Sequence, residues 1–277
     1  MGKGDYTSVM RRNRLNRAVG FMKAGIPWVV LLAACSGLGT PETAPFGFLQ
    51  VLTQAKDGVP ASLPEASFLN AVQSGYPSSH DTTDFCAVSN LASGGFSTQE
   101  SLNAGDSVAF TSDRGTLYLF PVLDILGNTS YQPRVASVQV TPGSPVSFDV
   151  PGAPGGFPQA SLSALTPSAF TQVSTIPTSV PVADSLVVTW APVGDDSSRI
   201  ELSLQFGASG APTRDRQVFC QWRDDGRGVI QGTLLTEWSG AVLRRSLLTR
   251  FRTSREVLGS GPVLYFIATY DTLPPLP

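Results

Sequence analysis

Alternating apolar and polar residues in the second half of the chain constrain the fold more than any other feature. In the segment RIELSLQF (199–206) every second residue is apolar: Ile200, Leu202, Leu204 and Phe206. The residues between them are polar, which is the pattern of an antiparallel strand with one buried face. The same period of two recurs in a later segment, at Val218, Cys220 and Trp222. These patterns predict strands that bury one face of a sheet.

The composition favours short strands and many turns over long helices. The 277 residues include 27 glycines and 22 prolines, and only 14% are charged. Gly and Pro both destabilise helix interiors, so only GTLLTEWSG (232–240) is expected to form one or two helical turns. A hairpin is predicted where two β-rich runs flank the turn at 112–115. We therefore expect an all-β fold.

Two β-sandwich domains are expected in a chain of this length. The Gly- and Pro-rich block PGAPGGFP (151–158) is the predicted boundary between an N-terminal β domain (46–158) and a C-terminal domain (159–277). In residues 184–206 a strand, Trp190, a Pro-containing turn and a second strand follow one another. This passage resembles fibronectin type III and related immunoglobulin-like domains. The resemblance implies an immunoglobulin-like β-sandwich for the C-terminal domain.

Basic residues are concentrated near the start of the chain. Six basic residues and one acidic residue precede Cys35, whereas 13 basic and 20 acidic residues follow it, which gives the totals of 19 and 21. A nucleic-acid-binding protein needs a basic body, so nucleic acid is excluded as the expected partner. A basic stretch ahead of an apolar one is typical of a targeting signal.

The apolar stretch is the length of a signal peptide core. Between Lys23 and Cys35 lie eleven uncharged residues, AGIPWVVLLAA. A membrane-spanning helix needs about 20 such residues and a signal peptide core about 7–15. The stretch ends in a four-residue motif that resembles the lipobox of bacterial lipoproteins: Leu32, Ala33, Ala34 and Cys35. The resemblance implies that residues 1–34 are a cleaved signal peptide and that Cys35 carries the lipid.

The predicted anchor has a tether and a location. Residues 35–45 are polar and lack periodicity, so we expect them to link the lipid to folded material. Two or three acyl chains on Cys35 would hold the protein at a membrane. Ser36 follows the cysteine in place of an inner-membrane retention Asp, which favours the outer membrane. The alternatives are a plain secretory signal or a buried cysteine in an ordinary helix.

Two further cysteines, Cys86 and Cys220, allow two interpretations. Disulfides persist in exported proteins, so the two thiols can form a disulfide. Alternatively, each cysteine is a small buried hydrophobe. Burial suits Cys220, which lies between the inward-facing Val218 and Trp222, and the two cysteines fall in different predicted domains.

The chain offers few groups for catalysis. His80 is the single histidine, and with Asp81 and Asp84 nearby it could serve as a general base or a metal ligand. A solvated turn is the simpler interpretation of that loop. Motifs such as Gly-x-Ser-x-Gly and His-Glu-x-x-His are missing from the sequence. We therefore predict no catalytic residue, no metal and no cofactor.

Two acidic pairs mark candidate binding loops. They lie in glycine-containing links between predicted strands: Asp195 with Asp196, and Asp224 with Asp225. Turn formation explains them without a ligand. A partner or Ca²⁺ contact is the functional alternative, although no EF-hand spacing is present.

A basic cluster follows the predicted helical turns. It contains five arginines: Arg244, Arg245, Arg250, Arg252 and Arg255. Charge on an edge strand protects it from aggregation, which is the simpler interpretation. The functional alternative is a contact for an anionic polymer such as an envelope polysaccharide.

These features together predict a lipid-anchored cell-envelope protein with a non-catalytic binding or structural role. Its expected partners are the membrane, through the lipid, and an envelope protein or polysaccharide. The alternative is an envelope hydrolase whose unrecognised active site involves His80.

Overall fold

The computed structural model describes the chain over residues 43–56, 59–72, 84–91, 100–124, 127–194, 196–207, 213–259 and 261–276. Several residues named above lie outside these ranges: Leu32, Ala33, Ala34, Cys35, His80, Asp81 and Asp195. Strand β1 begins at Thr43, so residues 43–45 of the predicted tether belong to a strand.

Within the described residues the chain forms fourteen strands, one 3-10 turn (Gly232–Leu235) and one short helix, α1 (Thr236–Gly240). The strands are β1 (Thr43–Lys56), β2 (Val59–Val72), β3 (Phe85–Asn90), β4 (Val108–Ser112), β5 (Gly115–Leu123), β6 (Thr129–Pro133), β7 (Pro145–Val150), β8 (Ala160–Leu165), β9 (Ser185–Thr189), β10 (Ser198–Phe206), β11 (Arg216–Arg223), β12 (Arg227–Gln231), β13 (Arg244–Val257) and β14 (Val263–Thr272). The predicted all-β class is confirmed. No helix among the described residues has the length and hydrophobicity that a membrane crossing requires.

Twelve strands form one large mixed sheet, in the order β3-β11-β10-β13-β14-β1-β2-β6-β5-β4-β7-β8. The other two, β9 and β12, pair with each other in a small separate sheet. Neighbours in the large sheet are antiparallel except β1 and β14, which run parallel with Phe46 opposite Val263. One face of the large sheet carries the side chains that form the protein's two main hydrophobic cores.

The first core is formed by inward-facing side chains of β1 and β2, of β4 to β8, and of β14 near the other end of the chain. Phe68 packs on Phe157 with ring centroids 4.7 Å apart, and Phe110 packs on Phe148 at 5.0 Å. Strand β14 adds Phe266, which is also buried. Each buried Phe side chain contributes about 1.5–3 kcal/mol of hydrophobic free energy, so these rings are a major source of stability.

The second core lies between β10, β11 and the small sheet. All four alternating apolar residues of RIELSLQF are fully buried in it, as their period predicts. Trp190 stacks on Trp222 with ring centroids 5.8 Å apart, and Trp238 of α1 is fully buried. The polar residues between the apolar ones lie on the opposite face of the sheet.

The segments 46–158 and 159–277 are not separate compact units. The described residues from 43 onward form a single unit, and strands that precede residue 158 pair with strands that follow it. Strand β3 pairs with β11, and β1 pairs with β14. The first core draws buried residues from both sides of the predicted boundary, because Leu162, Leu264 and Phe266 belong to it. The buried residues of the second core all follow that boundary, and the partly buried Cys86 packs against them from the first half of the chain.

The block 151–158 is a packed loop rather than a linker. The backbone N–H of Phe157 donates to the carbonyl oxygen of Asn103 at 2.8 Å, and that of Gly152 donates to the carbonyl of Ala104 at 3.1 Å. The ring of Phe157 is fully buried in the first core. The Gly and Pro residues of 151–158 therefore form a turn that packs back onto the sheet.

Candidate functional site

Asp224, one of the four aspartates predicted to lie in binding loops, is buried in an ion pair with Arg250. Arg250 Nε lies 2.7 Å from Asp224 Oδ2, and Nη2 donates to Oδ1 at 3.0 Å. The indole N–H of Trp190 donates to the same Oδ1 at 2.8 Å. Because both charged side chains are fully buried, each depends on the other for compensation. Asp224 is therefore a structural residue and is not exposed to a ligand.

The guanidinium group of Arg250 is enclosed by further partners. It donates to the carbonyl oxygens of Ala169 at 2.9 Å and Ala191 at 2.8 Å. Its central carbon lies 4.5 Å from the ring centroid of Phe170, within the range of a cation–π interaction. Arg250 thus fastens two connecting segments to strand β13.

The other described aspartates of the two loops behave as turn residues. Asp225 is exposed, and its Oδ1 accepts a hydrogen bond from the backbone N–H of Arg227 at 3.2 Å. The carbonyl oxygen of Asp196 accepts from Arg199. The two loops lie at one end of the sheet because Arg199 is paired with Arg223. Asp224, however, is directed into the core, so the structure does not place it in a shared binding surface.

The five arginines do not form one cationic surface. Strand β13 lies between β10 and β14, so the prediction of an edge strand is wrong. Arg250 is buried, and Arg244 donates to the carbonyl oxygens of Trp238 and Ser239, both at 2.9 Å. These contacts hold α1 against the strand.

Cys86 and Cys220 form a disulfide, with an S–S distance of 2.08 Å. They are directly opposite each other on β3 and β11. Cys220 is also fully buried, as the period of two predicts. Cys86 and Cys220 fall in different predicted domains, which spoke against a disulfide. That argument fails because β3, from the first half of the chain, pairs with β11 in the same sheet.

Asp84 is the one described member of the predicted His80 loop. Its backbone N–H donates to the carbonyl of Gln221 at 2.8 Å, and its Oδ2 lies 3.8 Å from Arg223 Nε. Asp84 thus lies directly before strand β3 and is already bonded to β11. Within the described ranges, no group of three or more His, Cys, Asp or Glu residues is placed to hold a metal ion.

A cleft of about 770 Å³ opens on the face of β4, β5, β7 and β8 that points away from the first core. We call it the outer cleft. Four side chains in register across these strands form its floor: Tyr118, Ala109, Asp149 and Ser161. Ser161 Oγ donates to Asp149 Oδ1 at 2.6 Å. Tyr118 is 55% exposed, although large aromatic side chains are usually buried.

Two loops form the walls of the outer cleft, 103–107 and 151–154. They lie side by side at one end of the floor, because the first precedes β4 and the second follows its antiparallel neighbour β7. The buried hydroxyl of Tyr131 orders the first wall, because it accepts from the N–H of Ala104 and donates to the carbonyl of Gly105, both at 2.9 Å. Burial raises the pKa of Tyr131. Its hydroxyl therefore keeps the proton that it donates.

Two glycines in the walls have no room for a side chain. A Cβ at Gly105 would lie 2.6 Å from Pro151 Cγ, and one at Gly152 would lie 2.4 Å from the backbone nitrogen of Gln159. Both glycines also have positive φ, 108° and 80°, where residues with a Cβ are strained. The shape of the cleft is therefore fixed by the sequence of its loops.

The outer cleft contains none of the site residues predicted from the sequence. The period of two does place Tyr118 on the solvent side of β5, between the core-facing Leu117 and Leu119. The sequence does not reveal which strands pair or in what register. Tyr118 and Asp149 lie far apart in sequence and come onto one floor only through the pairing of β5, β4 and β7. The Gly and Pro content of 151–158 predicts a domain boundary and gives no sign that this block forms a wall of the cleft.

A second polar row crosses the outer face of β11, β10, β13 and β14. Its members are aligned by strand pairing: Gln221, Glu201, Thr249 and Asp271. Gln221 donates to Glu201 Oε1 at 3.2 Å, and Thr249 donates to Asp271 Oδ1 at 2.7 Å. Burial is the main cause that raises the pKa of both carboxyl groups, and the nearby Asp271 raises that of Glu201 further.

The chain matches no protein-family model, and no curated protein matches it. The resemblances to the lipobox and to fibronectin type III domains therefore stay predictions from the sequence.

Proposed function

We propose that this protein is an exported, lipid-anchored component of the cell envelope with a non-catalytic binding role. Cys35 would carry the lipid, the outer membrane would be its location, and an envelope protein or polysaccharide would be its partner. The outer cleft is the surface best suited to that partner.

The disulfide between Cys86 and Cys220 is the observation that carries this proposal. Protein disulfides form and persist in oxidising compartments and are rare in the reducing cytosol. The pair lies in register on adjacent strands and closes a sequence separation of 134 residues. A bond of this kind supports folding after export, which agrees with a signal peptide at residues 1–34.

The form of the outer cleft supports binding. Its walls are held together by backbone hydrogen bonds and by the Tyr131 hydroxyl before any ligand arrives. A surface that is ordered in advance loses little conformational entropy when it binds. The cleft is open to solvent and its floor spans four strands, so a polymer can reach it from outside.

Lipid attachment is tested by growing cells with an alkyne-tagged fatty acid and fractionating them. The wild-type protein should carry the label and sediment with outer membranes, and Cys35→Ser should lose the label and leave the membrane fraction. Ser36→Ala is the matched control and should keep both properties. An unlabelled wild-type protein in the soluble fraction would contradict the proposal.

The hydrolase alternative is tested with the same purified protein. Glycan, ester and peptide substrates should show no turnover above the buffer rate. Turnover that disappears in His80→Ala would replace the binding role with an enzymatic one.

A further inference from the structure

We propose that the outer cleft binds a neutral, hydroxyl-rich glycan chain. This inference rests on the proposed function, because it names the class of partner that the cleft would recognise. Four observations support it: the exposed ring of Tyr118, the space above Ala109 between that ring and Asp149, the composition of the lining, and the ordered walls.

The floor of the outer cleft combines an aromatic ring with a fixed carboxylate. Neighbouring strands lie about 4.8 Å apart, so Tyr118 on β5 and Asp149 on β7 are separated by roughly 10 Å. Only the methyl group of Ala109 on β4 lies between them. A sugar ring has apolar C–H faces and polar hydroxyl edges. It can therefore pack against the phenol ring while its hydroxyls reach the carboxylate.

The polar groups of the lining match the hydrogen-bonding needs of hydroxyls. Asp149 and Asp106 accept hydrogen bonds, and the side-chain amide of Gln159 both donates and accepts. Asn103 offers its NH2 group as a donor, because its Oδ1 already accepts from the backbone N–H of Gly105 at 2.9 Å. Because Ser161 occupies one oxygen of Asp149, that carboxylate has a defined orientation. A hydroxyl group, which both donates and accepts, can pair with each of these side chains.

The charge of the lining excludes anionic ligands. Among the described residues that line the cleft there are two carboxylates and not one Lys, Arg or His. An anionic polysaccharide would meet repulsion from both carboxylates without a compensating cation. The expected ligand is therefore uncharged, in contrast to the anionic polymer that the arginine-rich segment suggested.

A peptide fits the outer cleft less well than a glycan. Peptide-binding surfaces supply apolar pockets for anchor side chains or a free strand edge. The floor lies on the face of the sheet. Apart from Tyr118, the solvent-accessible apolar side chains among the described lining residues belong to alanines and prolines: Ala109, Ala153, Ala160, Pro151 and Pro154. Peptide binding is nevertheless a distinct outcome of the test below.

The test is affinity electrophoresis of the full-length protein in detergent, through gels that contain soluble neutral polysaccharides (β-glucan, xylan and mannan) or anionic alginate. We expect at least one neutral polysaccharide to retard the wild type and alginate to have no effect. Tyr118→Ala should weaken the apparent affinity about tenfold, because an aromatic contact of about 1.4 kcal/mol is lost.

Two further variants make the test specific. Asp149→Asn should weaken binding about threefold or more, since an amide keeps the shape and loses the charge-assisted acceptor. Val122→Ala, also on β5 and 45% exposed but outside the lining, is the matched control and should bind like the wild type. Circular dichroism would show whether each variant is folded.

The inference fails if no neutral polysaccharide retards the wild type, if alginate does so equally, or if Tyr118→Ala binds unchanged. Capture of a random peptide library through the outer cleft, lost in Tyr118→Ala, would overturn it in favour of a peptide ligand. Lipid labelling separates this failure from that of the proposed function. A labelled, membrane-bound protein without glycan binding refutes only the glycan inference.

Discussion

Asp224 and Asp225 are adjacent in sequence, yet burial gives them different roles. Asp224 is enclosed with Arg250 and Trp190, whereas Asp225 is exposed in the turn. Removing one partner of a buried ion pair leaves the other charge without compensation, which costs about 3–5 kcal/mol. We expect Asp224→Ala to lower the free energy of unfolding by that amount in urea titrations.

Asp225→Ala is the matched control for this prediction. It removes one exposed hydrogen bond to Arg227, so its cost should stay below about 1 kcal/mol. Equal effects of the two substitutions would contradict the structural role of Asp224. The sequence could not separate the two residues, because the period of two ends with the strand at Arg223 and says nothing about the turn that follows.

Glu201 should make stability depend on pH. Its pKa in the folded protein is raised above the ordinary value of 4.5, chiefly by burial and further by Asp271, while the hydrogen bond from Gln221 lowers it. Between the ordinary and the raised pKa the folded protein binds more protons than the unfolded chain. The contribution of Glu201 to the free energy of unfolding therefore falls as pH rises through this interval.

The comparison of Glu201→Gln with the wild type isolates that contribution. The variant keeps the shape of the side chain but cannot ionise, so its stability relative to the wild type should increase as pH rises from about 4. Urea titrations between pH 4 and pH 8 measure the free energy of unfolding of both proteins. The contributions of the other carboxyl groups are shared by both and largely cancel in the difference. A difference that shrinks with rising pH would contradict the raised pKa.

The disulfide between Cys86 and Cys220 fixes strand β3 at the edge of the large sheet. Among the described strands β3 pairs with β11 alone, and four of its six residues are exposed. Without the disulfide, the chain-entropy relation predicts a loss of up to about 5 kcal/mol for a separation of 134 residues. We expect the double variant Cys86→Ser, Cys220→Ser to exchange the backbone amides of β3 much faster than the wild type.

Hydrogen exchange followed by mass spectrometry measures the exchange rate of the backbone amides in each strand. Strand β14, which has strand neighbours on both sides, serves as the internal control and should lose less protection than β3. Unchanged exchange in β3 would mean that its backbone pairing alone keeps it in place.

At the scale of elements, the sequence predicts best where one strand buries one face. The hairpin around 112–115 forms as expected from β4 and β5, and β10 has the predicted alternation. The assignment of β13 to an edge was wrong because arginine was taken to mean exposure. A buried Arg250 has no local signature, since its partners come from segments 26 to 82 residues away.

The whole molecule differs from the predicted pair of sequential domains. The parallel pairing of β1 with β14 joins the two ends of the described chain, and no local pattern announces so distant a contact. The prediction of a domain boundary at 151–158 rested on composition alone. Its hydrogen bonds to 103–104 and the buried ring of Phe157 show the same glycines and prolines used for a tight turn.

Limited proteolysis tests this architecture. Because 151–158 is hydrogen-bonded and partly buried, we expect native protein to resist cleavage there until it unfolds. Denatured protein, treated with the same protease, is the control and should be cut in this block. Early cleavage of the native protein at 151–158, with two fragments that separate and stay resistant, would support two independent domains.

Export to an oxidising envelope is the central claim about this protein, and one measurement tests it most directly. Protein isolated from its own host under acidic quench is alkylated before and after reduction, and its intact mass is then determined. We predict a chain that starts at Cys35, carries acyl lipid, and gains two alkyl groups, at Cys86 and Cys220, only after reduction. A chain that keeps residues 1–34, lacks lipid and is alkylated at both cysteines without reduction would contradict the account.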